Sequence, residues 1–383
     1  MRWDRIGKRC VSAACCFLLA IGLCPAKASA APEVSASAAA VVEVSTGRVL
    51  WSKNGGAAMT MASTTKILTA LLTLEAGNLD EPFIVDSNAI MVEGSSMGLQ
   101  KGDQVTLRTL ACGMLLSSGN DAANAAAVRI AGSIPEFAVL MNERAAQLGM
   151  ENSSFVTPSG LDAEGHYSTA LDMAKLAAAA LQNEDFREIC SQTSMKVQFG
   201  SPPADRWLKN HNKLLESFDG CIGVKTGFTK LSGRCLVSAA ERDGVAICCV
   251  TLKDPDDWLD HQKLLEWGFG QVEKVDLQAD LSAVKVPVTG GVLKGVSVRQ
   301  AEAASVVVPA GSGQFTQTLY LPQFAYAPVR AGDTLGEVRW YTGEGAERRL
   351  AASAPLIAEE TSEIDPTLET PWRKRFFLWK LFS

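Results

Sequence analysis

The order of helix-like and strand-like hydrophobic patterns constrains the fold of this 383-residue chain more than any other feature. Two strand patterns flank the turn Ser45-Thr46-Gly47, and helix patterns then follow one another from residue 64 to residue 181. Strand patterns return after residue 220 around the hairpin signal Asp243-Gly244, and a last helix pattern covers His261 to Phe269. We therefore predict an α+β domain over residues 31–271, with an antiparallel sheet flanked by helices and a helical subdomain.

The last third of the chain has a different pattern. From about Val272 the helical periodicity disappears, and short runs such as Val306-Val307-Val308 alternate with Gly and Pro turns. We predict a small all-β domain over residues 272–358. Residues 359–371 are polar and contain proline, which is typical of a linker.

Both ends of the chain are basic, whereas its middle is acidic. Residues 1–30 and residues 372–383 each carry a net charge of +4, although the whole chain carries −6. An acidic middle argues against a nucleic-acid partner, since phosphate binding needs a clustered basic surface.

The first segment has the pattern of a secretory signal peptide. Four basic residues precede an apolar run over residues 11–23, and Ala28-Ser29-Ala30 follows as a cleavage site. The run of 13 residues is shorter than the about 20 that a comfortable membrane span needs, so cleavage is favoured over an uncleaved anchor. We expect an exported protein at the outer face of the cytoplasmic membrane or in the cell wall.

The last segment, residues 372–383, combines Trp and Phe with Lys and Arg. Aromatic side chains prefer the headgroup region, and basic side chains are attracted to anionic lipid. We predict an amphipathic tail that contacts a membrane surface. A helix that packs on a domain is the alternative.

Cysteine and histidine usage gives no sign of a cofactor. Six cysteines remain after the predicted signal peptide, and buried thiols are favoured over a disulfide framework because a core of this size does not need cross-links. The three histidines lie far apart in sequence, and no HExxH motif is present. We predict no metal and no other cofactor.

Three short motifs carry the chemistry. Ser63-Thr64-Thr65-Lys66 opens an apolar helix, so that Ser63 and Lys66 share one face. Ser118-Gly119-Asn120 falls in a loop between two predicted helices, and Lys225-Thr226-Gly227 lies at the start of the late sheet. Each motif alone is common by chance, but the three in this order match the pattern of β-lactamases and penicillin-binding proteins.

A competing motif is Gly94-Ser95-Ser96-Met97-Gly98, which matches the GxSxG nucleophile elbow of α/β-hydrolases. An elbow passes directly into a helix. Here residues 99–103 predict a turn instead, so we do not favour this interpretation.

The first motif predicts acyl transfer with Ser63 as the nucleophile. A serine hydroxyl must give its proton to a nearby base, and Lys66 is the candidate. A lysine at its usual pKa of about 10.4 is protonated at neutral pH. Burial in the apolar helix, and Lys225 as a permanently charged neighbour, are the two causes that we expect to lower the pKa of Lys66.

On these residues the chain resembles the low-molecular-mass penicillin-binding proteins that act as serine-type D-alanyl-D-alanine carboxypeptidases. The resemblance covers roughly residues 35–270 and is carried by the surroundings of the motifs, namely Met61–Lys66, Ser117–Ala122, Gly160–Thr169 and Gly223–Thr229. It implies a β-lactamase/transpeptidase-like domain followed by a small β domain. It also implies removal of the terminal D-Ala from peptidoglycan stem peptides through an acyl-enzyme on Ser63, and covalent inhibition by β-lactams.

The resemblance implies a role for the second motif and for the strand that follows. Ser118 and Lys225 would relay a proton to the departing D-alanine, and Asn120 would hydrogen-bond the substrate's amide. The backbone N–H groups of Ser63 and Phe228 would form the oxyanion hole.

The third motif, through Lys225, Thr226 and Gly227, would bind the end of the substrate. Some members of the family carry an arginine near the closing helix that helps to bind the terminal carboxylate. The corresponding stretch here, residues 256–261, is acidic. We therefore expect Lys225 and Thr226 to recognise the carboxylate alone.

Two other functions compete with this one. A class A-like β-lactamase needs a glutamate for deacylation, usually in an ExxLN stretch between the second and third motifs, and none is present. A non-catalytic module that binds peptidoglycan or a β-lactam fits poorly with three intact motifs. Cleavage of D-Ala crosslinks by an endopeptidase stays open.

Overall fold

A computed structural model describes residues 30–343, 345 and 348–368 of the chain. Within these residues the chain forms two compact units, one that ends at Glu273 and one that begins at Lys274. The predicted signal peptide, apart from Ala30, and the predicted amphipathic tail lie outside the described residues. Among the helices of the described part, none combines the length and the hydrophobicity that a membrane crossing requires.

The first unit is built from an antiparallel sheet and a set of helices. Its elements in chain order are β1 (Ala38–Glu43), β2 (Val49–Lys53), a 3-10 turn (Ala62–Thr65), α1 (Lys66–Glu75), β3 (Phe83–Ile84), β4 (Gln104–Val105), α2 (Leu107–Leu115), α3 (Asn120–Ala131), α4 (Ile134–Gln147), α5 (Ala170–Ala180), α6 (Glu184–Cys190), β5 (Ser194–Gly200), β6 (Pro203–Lys209), α7 (Leu214–Ser217), β7 (Cys221–Thr229), β8 (Gly233–Arg242), β9 (Val245–Leu252) and α8 (Asp257–Phe269). The predicted antiparallel sheet with flanking helices is confirmed.

The main sheet has the strand order β2-β1-β9-β8-β7, and both of its faces are covered by helices. Alternate residues of β1, such as Ala40, join the hydrophobic cluster that also contains α1, α2 and α5. On the opposite face Gly268 of α8 packs so closely on Ile247 and Val41 that an added Cβ would lie 2.8 Å from the Ile247 Cγ2 atom. His261 of α8 contacts Ser238 and Thr251 on the same face.

A second, smaller sheet with the order β3-β4-β5-β6 lies in the helical part. Its long hairpin, β5 and β6, is not predicted from the sequence. All of β6 except Leu208 is exposed, so the strand carries no alternating hydrophobic pattern. The short helix α6 was also missed.

The second unit is all-β, as predicted. It contains β11 (Lys285–Thr289), β12 (Gly295–Gln300), β13 (Ala304–Pro309), β14 (Thr316–Tyr320), β15 (Ala325–Tyr326), β16 (Thr334–Thr342) and β17 (Arg349–Ala358), and β10 (Val272–Leu277) leads into it. Six of these strands form a sheet in the order β14-β16-β17-β12-β11-β15. The unit has its own hydrophobic cluster, which includes Val298, Trp340 and Leu356.

The start of the predicted linker over residues 359–371 differs from the prediction. Ser362 is fully buried and forms a bridge with Val329, and Ile364 forms a bridge with Gly291. The bridge at Ser362 is made by its backbone, so the polar side chain at this position gives no sign of the attachment in the sequence. This stretch is therefore attached to the β unit.

The six cysteines of the described residues are free thiols, and all except Cys221 are buried. Burial raises the pKa of Cys235 to about 11, so this thiol stays protonated at neutral pH. The cysteines thus pack as small apolar side chains.

Candidate active site

Ser63 and Lys66 lie at the entrance to α1, where the chain passes through the 3-10 turn. In a 3-10 helix, side chains three residues apart eclipse each other. The Lys66 Nζ atom accordingly lies 2.9 Å from the Ser63 Oγ atom. The sequence predicted the shared face but assigned it to an α-helix, and the tighter turn brings the two side chains directly together.

The contacts of Lys66 are compatible with an uncharged amine. Its Nζ atom lies 2.7 Å from Asn120 Oδ1 and 2.5 Å from the Ser159 carbonyl oxygen, and both of these oxygens can only accept hydrogen bonds. A neutral amine has two N–H donors for them, which leaves its lone pair for the hydroxyl hydrogen of Ser63.

The electrostatics of Lys66 agree with this arrangement. The side chain is fully buried, and burial is the main cause that holds its pKa well below the usual value of 10.5. The charge of Lys225 lowers the pKa further, and the carboxylate of Asp121 acts in the opposite direction. Burial and the proximity of Lys225 are both causes that the sequence predicted.

Ser118 and Lys225 form the second pair of the site. Ser118 sits between α2 and α3 with a left-handed φ of 58°, and its Oγ atom accepts a hydrogen bond of 3.0 Å from Lys225 Nζ. Lys225 also donates to the Thr226 carbonyl oxygen at 2.8 Å. Burial lowers the pKa of Lys225 to about 7, so the expectation of a permanently charged ammonium is wrong.

Asn120 begins α3, and its side-chain amide is held at both ends. Its Oδ1 atom accepts from Lys66, and its Nδ2 atom donates to the Glu93 carbonyl oxygen at 2.6 Å. The side chain is thus fixed in orientation. It is 3% exposed and does not line the cleft described below.

The loop Gly94–Gly98, which carries the GxSxG motif, is tied to α3 by a buried carboxylate that sequence reasoning missed. Asp121 accepts hydrogen bonds from the backbone N–H groups of Met97, Gly98 and Leu99, and from the Ser96 hydroxyl. The motif serine, Ser96, therefore donates its hydroxyl hydrogen to Asp121, and no helix follows it directly. Both observations exclude a nucleophile elbow.

A buried histidine braces the turn that carries Ser63. The His166 Nδ1 atom accepts from the Val156 N–H at 3.0 Å, so the ring proton lies on Nε2, which contacts Thr65 Oγ1 at 3.0 Å. Thr65 in turn donates to the Ala62 carbonyl oxygen. Burial lowers the pKa of His166 to about 4, so the ring is neutral and acts as a structural link.

Two glycines allow backbone segments to approach this turn closely. A Cβ atom on Gly160 would lie 2.0 Å from the Ala62 carbonyl oxygen, and one on Gly227 would lie 3.1 Å from the Ser63 backbone nitrogen. The strand β7 therefore runs directly along the Ser63 amide, in the region where Ser63 and Phe228 are expected to form an oxyanion hole.

These side chains open into one cleft of about 460 Å³. Five of the residues singled out in the sequence line it, namely Ser63, Ser118, Thr226, Gly227 and Phe228. It is also lined by five residues that sequence reasoning missed, namely Ser95, His211, Arg234, Asp257 and Trp258.

Among the described residues that line the cleft, Arg234 is the cationic side chain, and it was not predicted as a site residue. Lys225 is only 1% exposed and does not line the cleft, whereas Arg234 does. Its position opposite Phe228 in the β7–β8 hairpin was the available sequence signal. Its contact with Asp257 could not be predicted, because the two residues lie 23 positions apart in the sequence.

The site combines a serine in a cleft with a buried lysine beside it, and no histidine among the described residues contacts the serine hydroxyl. This arrangement defines the class of serine acyl-transfer enzymes that use a lysine base. Residues 25–256 match the sequence profile of the Peptidase S11 family, described as D-alanyl-D-alanine carboxypeptidase, and the chain belongs to this family.

Named relatives agree with this assignment. The chain is 32% identical to D-alanyl-D-alanine carboxypeptidase DacF of Bacillus subtilis, over 85% of each chain. It is 33% identical to D-alanyl-D-alanine carboxypeptidase DacC of Escherichia coli, over 87% of this chain and 86% of the relative.

Solved structures give the same result. The D-alanyl-D-alanine carboxypeptidase DacD from Francisella tularensis is 27% identical, with a TM-score of 0.62 over 90% of this chain and 98% of that one. The Streptomyces K15 DD-transpeptidase is 31% identical, with a TM-score of 0.60, and covers 63% of this chain and 99% of its own. The predicted fold and enzyme class are confirmed.

Proposed function

We propose that this protein removes the C-terminal D-alanine from peptidoglycan stem peptides through an acyl-enzyme on Ser63. The observation that carries the proposal is the 2.9 Å separation between Ser63 Oγ and the Nζ atom of a buried Lys66 whose other two contacts are acceptors. A neutral amine so oriented can take only the serine proton.

Acylation follows from these contacts. Lys66 accepts the hydroxyl proton as Ser63 Oγ attacks the carbonyl carbon of the penultimate D-alanine. The backbone N–H groups of Ser63 and Phe228 stabilise the resulting oxyanion, a contribution of about 10²–10³ in rate for each donor in comparable sites.

Collapse of the tetrahedral intermediate breaks the peptide bond. The leaving nitrogen takes a proton relayed from Lys225 through Ser118, which lie 3.0 Å apart. Asn120 holds the substrate's amide, and Thr226 and Gly227 line the edge of the cleft beside the substrate. Water then attacks the ester carbonyl, its proton passes to the Ser63 oxygen as the ester bond breaks, and the shortened peptide is released. The proton that Lys66 gained replaces the one that Lys225 gave up, so both lysines return to their starting state.

A β-lactam enters the same reaction and stops after acylation. Attack by Ser63 opens the lactam ring, and the adduct persists unless a base activates a deacylating water. The only acid among the described residues that line the cleft is Asp257, which is paired with Arg234. This favours a slowly deacylated enzyme over a β-lactamase.

Mass spectrometry after incubation with penicillin tests the proposal. We expect one adduct that maps to Ser63, together with D-alanine release from diacetyl-Lys-D-Ala-D-Ala. Ser63→Ala should lose both, whereas Ser96→Ala should keep the adduct. An adduct on Ser95 or Ser96, or rapid turnover of penicillin, would contradict this function.

We also propose that the protein is exported, and that residues 372–383 hold it at the outer face of the cytoplasmic membrane. The support is the basic, aromatic composition of that segment and the cleavage pattern at Ala28-Ser29-Ala30. N-terminal sequencing of the mature protein should begin at Ala31. A chain without residues 372–383 should leave the membrane fraction, and unchanged sedimentation with it would reject the tail.

A further inference from the structure

A peptide that ends in D-alanine carries a free carboxylate, and a cleft that selects it needs a cationic donor within reach. Lys225 does not meet this need, because it is 1% exposed and its amine is directed to Ser118 and to the Thr226 carbonyl oxygen. Among the described residues that line the cleft, Arg234 is the one lysine or arginine.

Arg234 is held in place from two sides. It lies on β8 directly opposite Phe228 of β7, at the end of the hairpin that borders the cleft. Its Nη2 atom donates to Asp257 Oδ1 at 2.6 Å, and its guanidinium carbon lies 5.6 Å from the centre of the Trp258 ring. A restrained guanidinium loses little conformational entropy when a ligand binds.

Most of the hydrogen-bonding capacity of Arg234 is left over. The guanidinium has five N–H donors, and the contact with Asp257 uses one of them. The Nε atom is buried without a hydrogen-bond partner in the described chain, while the side chain as a whole is 42% exposed. A planar fork with free donors matches the two oxygens of a carboxylate.

We propose that Arg234, positioned by Asp257 and Trp258, binds the terminal carboxylate of the substrate together with the Thr226 hydroxyl and so selects peptides with a free C-terminus. This inference rests on the proposed carboxypeptidase function. It assigns the recognition of the carboxylate to a residue of β8.

A pair of thioester substrates separates this role from catalysis. Acyl-D-alanyl-thioglycolic acid carries the carboxylate, and its methyl ester lacks the charge but keeps the same reactive thioester. We measure kcat/KM on both for the wild type, Arg234→Gln, Arg234→Lys and the control Arg206→Gln. Arg206 is an exposed arginine of β6 that also stacks on an aromatic ring, at 4.5 Å from the centre of Phe199, and it does not line the cleft.

We expect Arg234→Gln to lower kcat/KM on the acid by about 10- to 100-fold and on the methyl ester by no more than about twofold, because a hydrogen bond to a charged group is lost. On the acid, the kcat/KM of Arg234→Lys should lie between those of the wild type and Arg234→Gln, since lysine keeps the charge but lacks the planar pair of donors. Arg206→Gln should leave both substrates unchanged.

Three results would overturn the inference while the proposed function stands: an equal loss on acid and ester in both Arg234 variants, no loss on the acid, or a wild type that does not prefer the acid. A wild type that forms no penicillin adduct and releases no D-alanine would instead reject the proposed function.

Discussion

Lys66 and Lys225 are two amines buried in one site, and their burial serves the chemistry at the expense of stability. A buried lysine favours its neutral form, which Lys66 needs in order to act as a base. The same burial makes the protonated form of each side chain costly in the folded state. The active site is therefore expected to be a region where activity and stability oppose each other.

The pH dependence of stability reports this cost for Lys225. Its pKa is about 7 in the folded chain, against an ordinary value of 10.5. Between these values the unfolded chain binds more protons, so the free energy of unfolding rises with pH by up to about 1.4 kcal/mol per pH unit. Denaturant titrations from pH 7 to pH 10 should show a steeper rise for the wild type than for Lys225→Met.

The exposed Lys209 supplies the control for this experiment. Lys209→Met should follow the wild-type slope, because Lys209 is exposed and the substitution leaves the buried amine of Lys225 in place. If Lys225→Met and the wild type gave parallel curves, the buried amine would not be the source of the slope.

Asp121 is one of the groups expected to influence the pH at which the site becomes active. Its charge raises the pKa of Lys66, whereas burial and Lys225 lower it. Asp121→Asn removes that charge but keeps one acceptor oxygen for the loop at Met97. The pKa of Lys66 should fall, so the low-pH limb of the penicillin acylation rate should move to lower pH, as single-turnover measurements would show. A limb that moves upward or stays in place would contradict this.

At the scale of elements, the sequence predicts those parts whose pattern is repeated over many residues. The helices α1–α5 and the β8–β9 hairpin have buried faces with regular apolar spacing, and all were predicted. The 3-10 turn at Ser63 was not, because the difference from an α-helix is decided by contacts with Gly160 and Gly227 from distant segments.

The same reasoning explains which site residues were found. Ser63, Lys66 and Lys225 stand in short motifs with fixed spacing, so local sequence is sufficient. Asp121 and Arg234 act through partners more than 20 residues away, and only the folded chain brings these partners together.

The contact between β7 and the 3-10 turn gives a prediction about these two elements. A Cβ atom on Gly227 would lie 3.0 Å from both the Met61 carbonyl oxygen and the Thr64 nitrogen. Gly227→Ala should push the strand away from Ser63 and slow penicillin acylation by about 10- to 100-fold, because small displacements of reacting groups are costly.

Gly56→Ala is the matched control for this substitution. Gly56 is exposed, and an added Cβ would meet no atom within 4 Å. Its acylation rate should equal that of the wild type. A Gly227→Ala enzyme with an unchanged acylation rate would show that the close approach does not position Ser63.

At the scale of the whole molecule, each unit has its own hydrophobic core. The cluster of the first unit, within the described residues, runs from Ala38 to Leu252, and that of the second unit begins at Leu277. Every residue assigned to the cleft lies between Ser63 and Trp258. The Streptomyces K15 structure, which matches 99% of its own length to 63% of this chain, is a relative of about the size of the first unit.

The first unit should therefore fold and react without the second. A chain of residues 31–271 ends before β10 and keeps the main sheet, α8 and all cleft residues. Because its apolar cluster is complete, we expect a cooperative thermal transition by circular dichroism and one penicillin adduct per chain at a rate close to that of the full protein. The Ser63→Ala version of the same short chain should melt alike without forming the adduct, which separates folding from chemistry. A short chain that is unfolded, or folded but not acylated, would mean that the β unit supplies something that the active site requires.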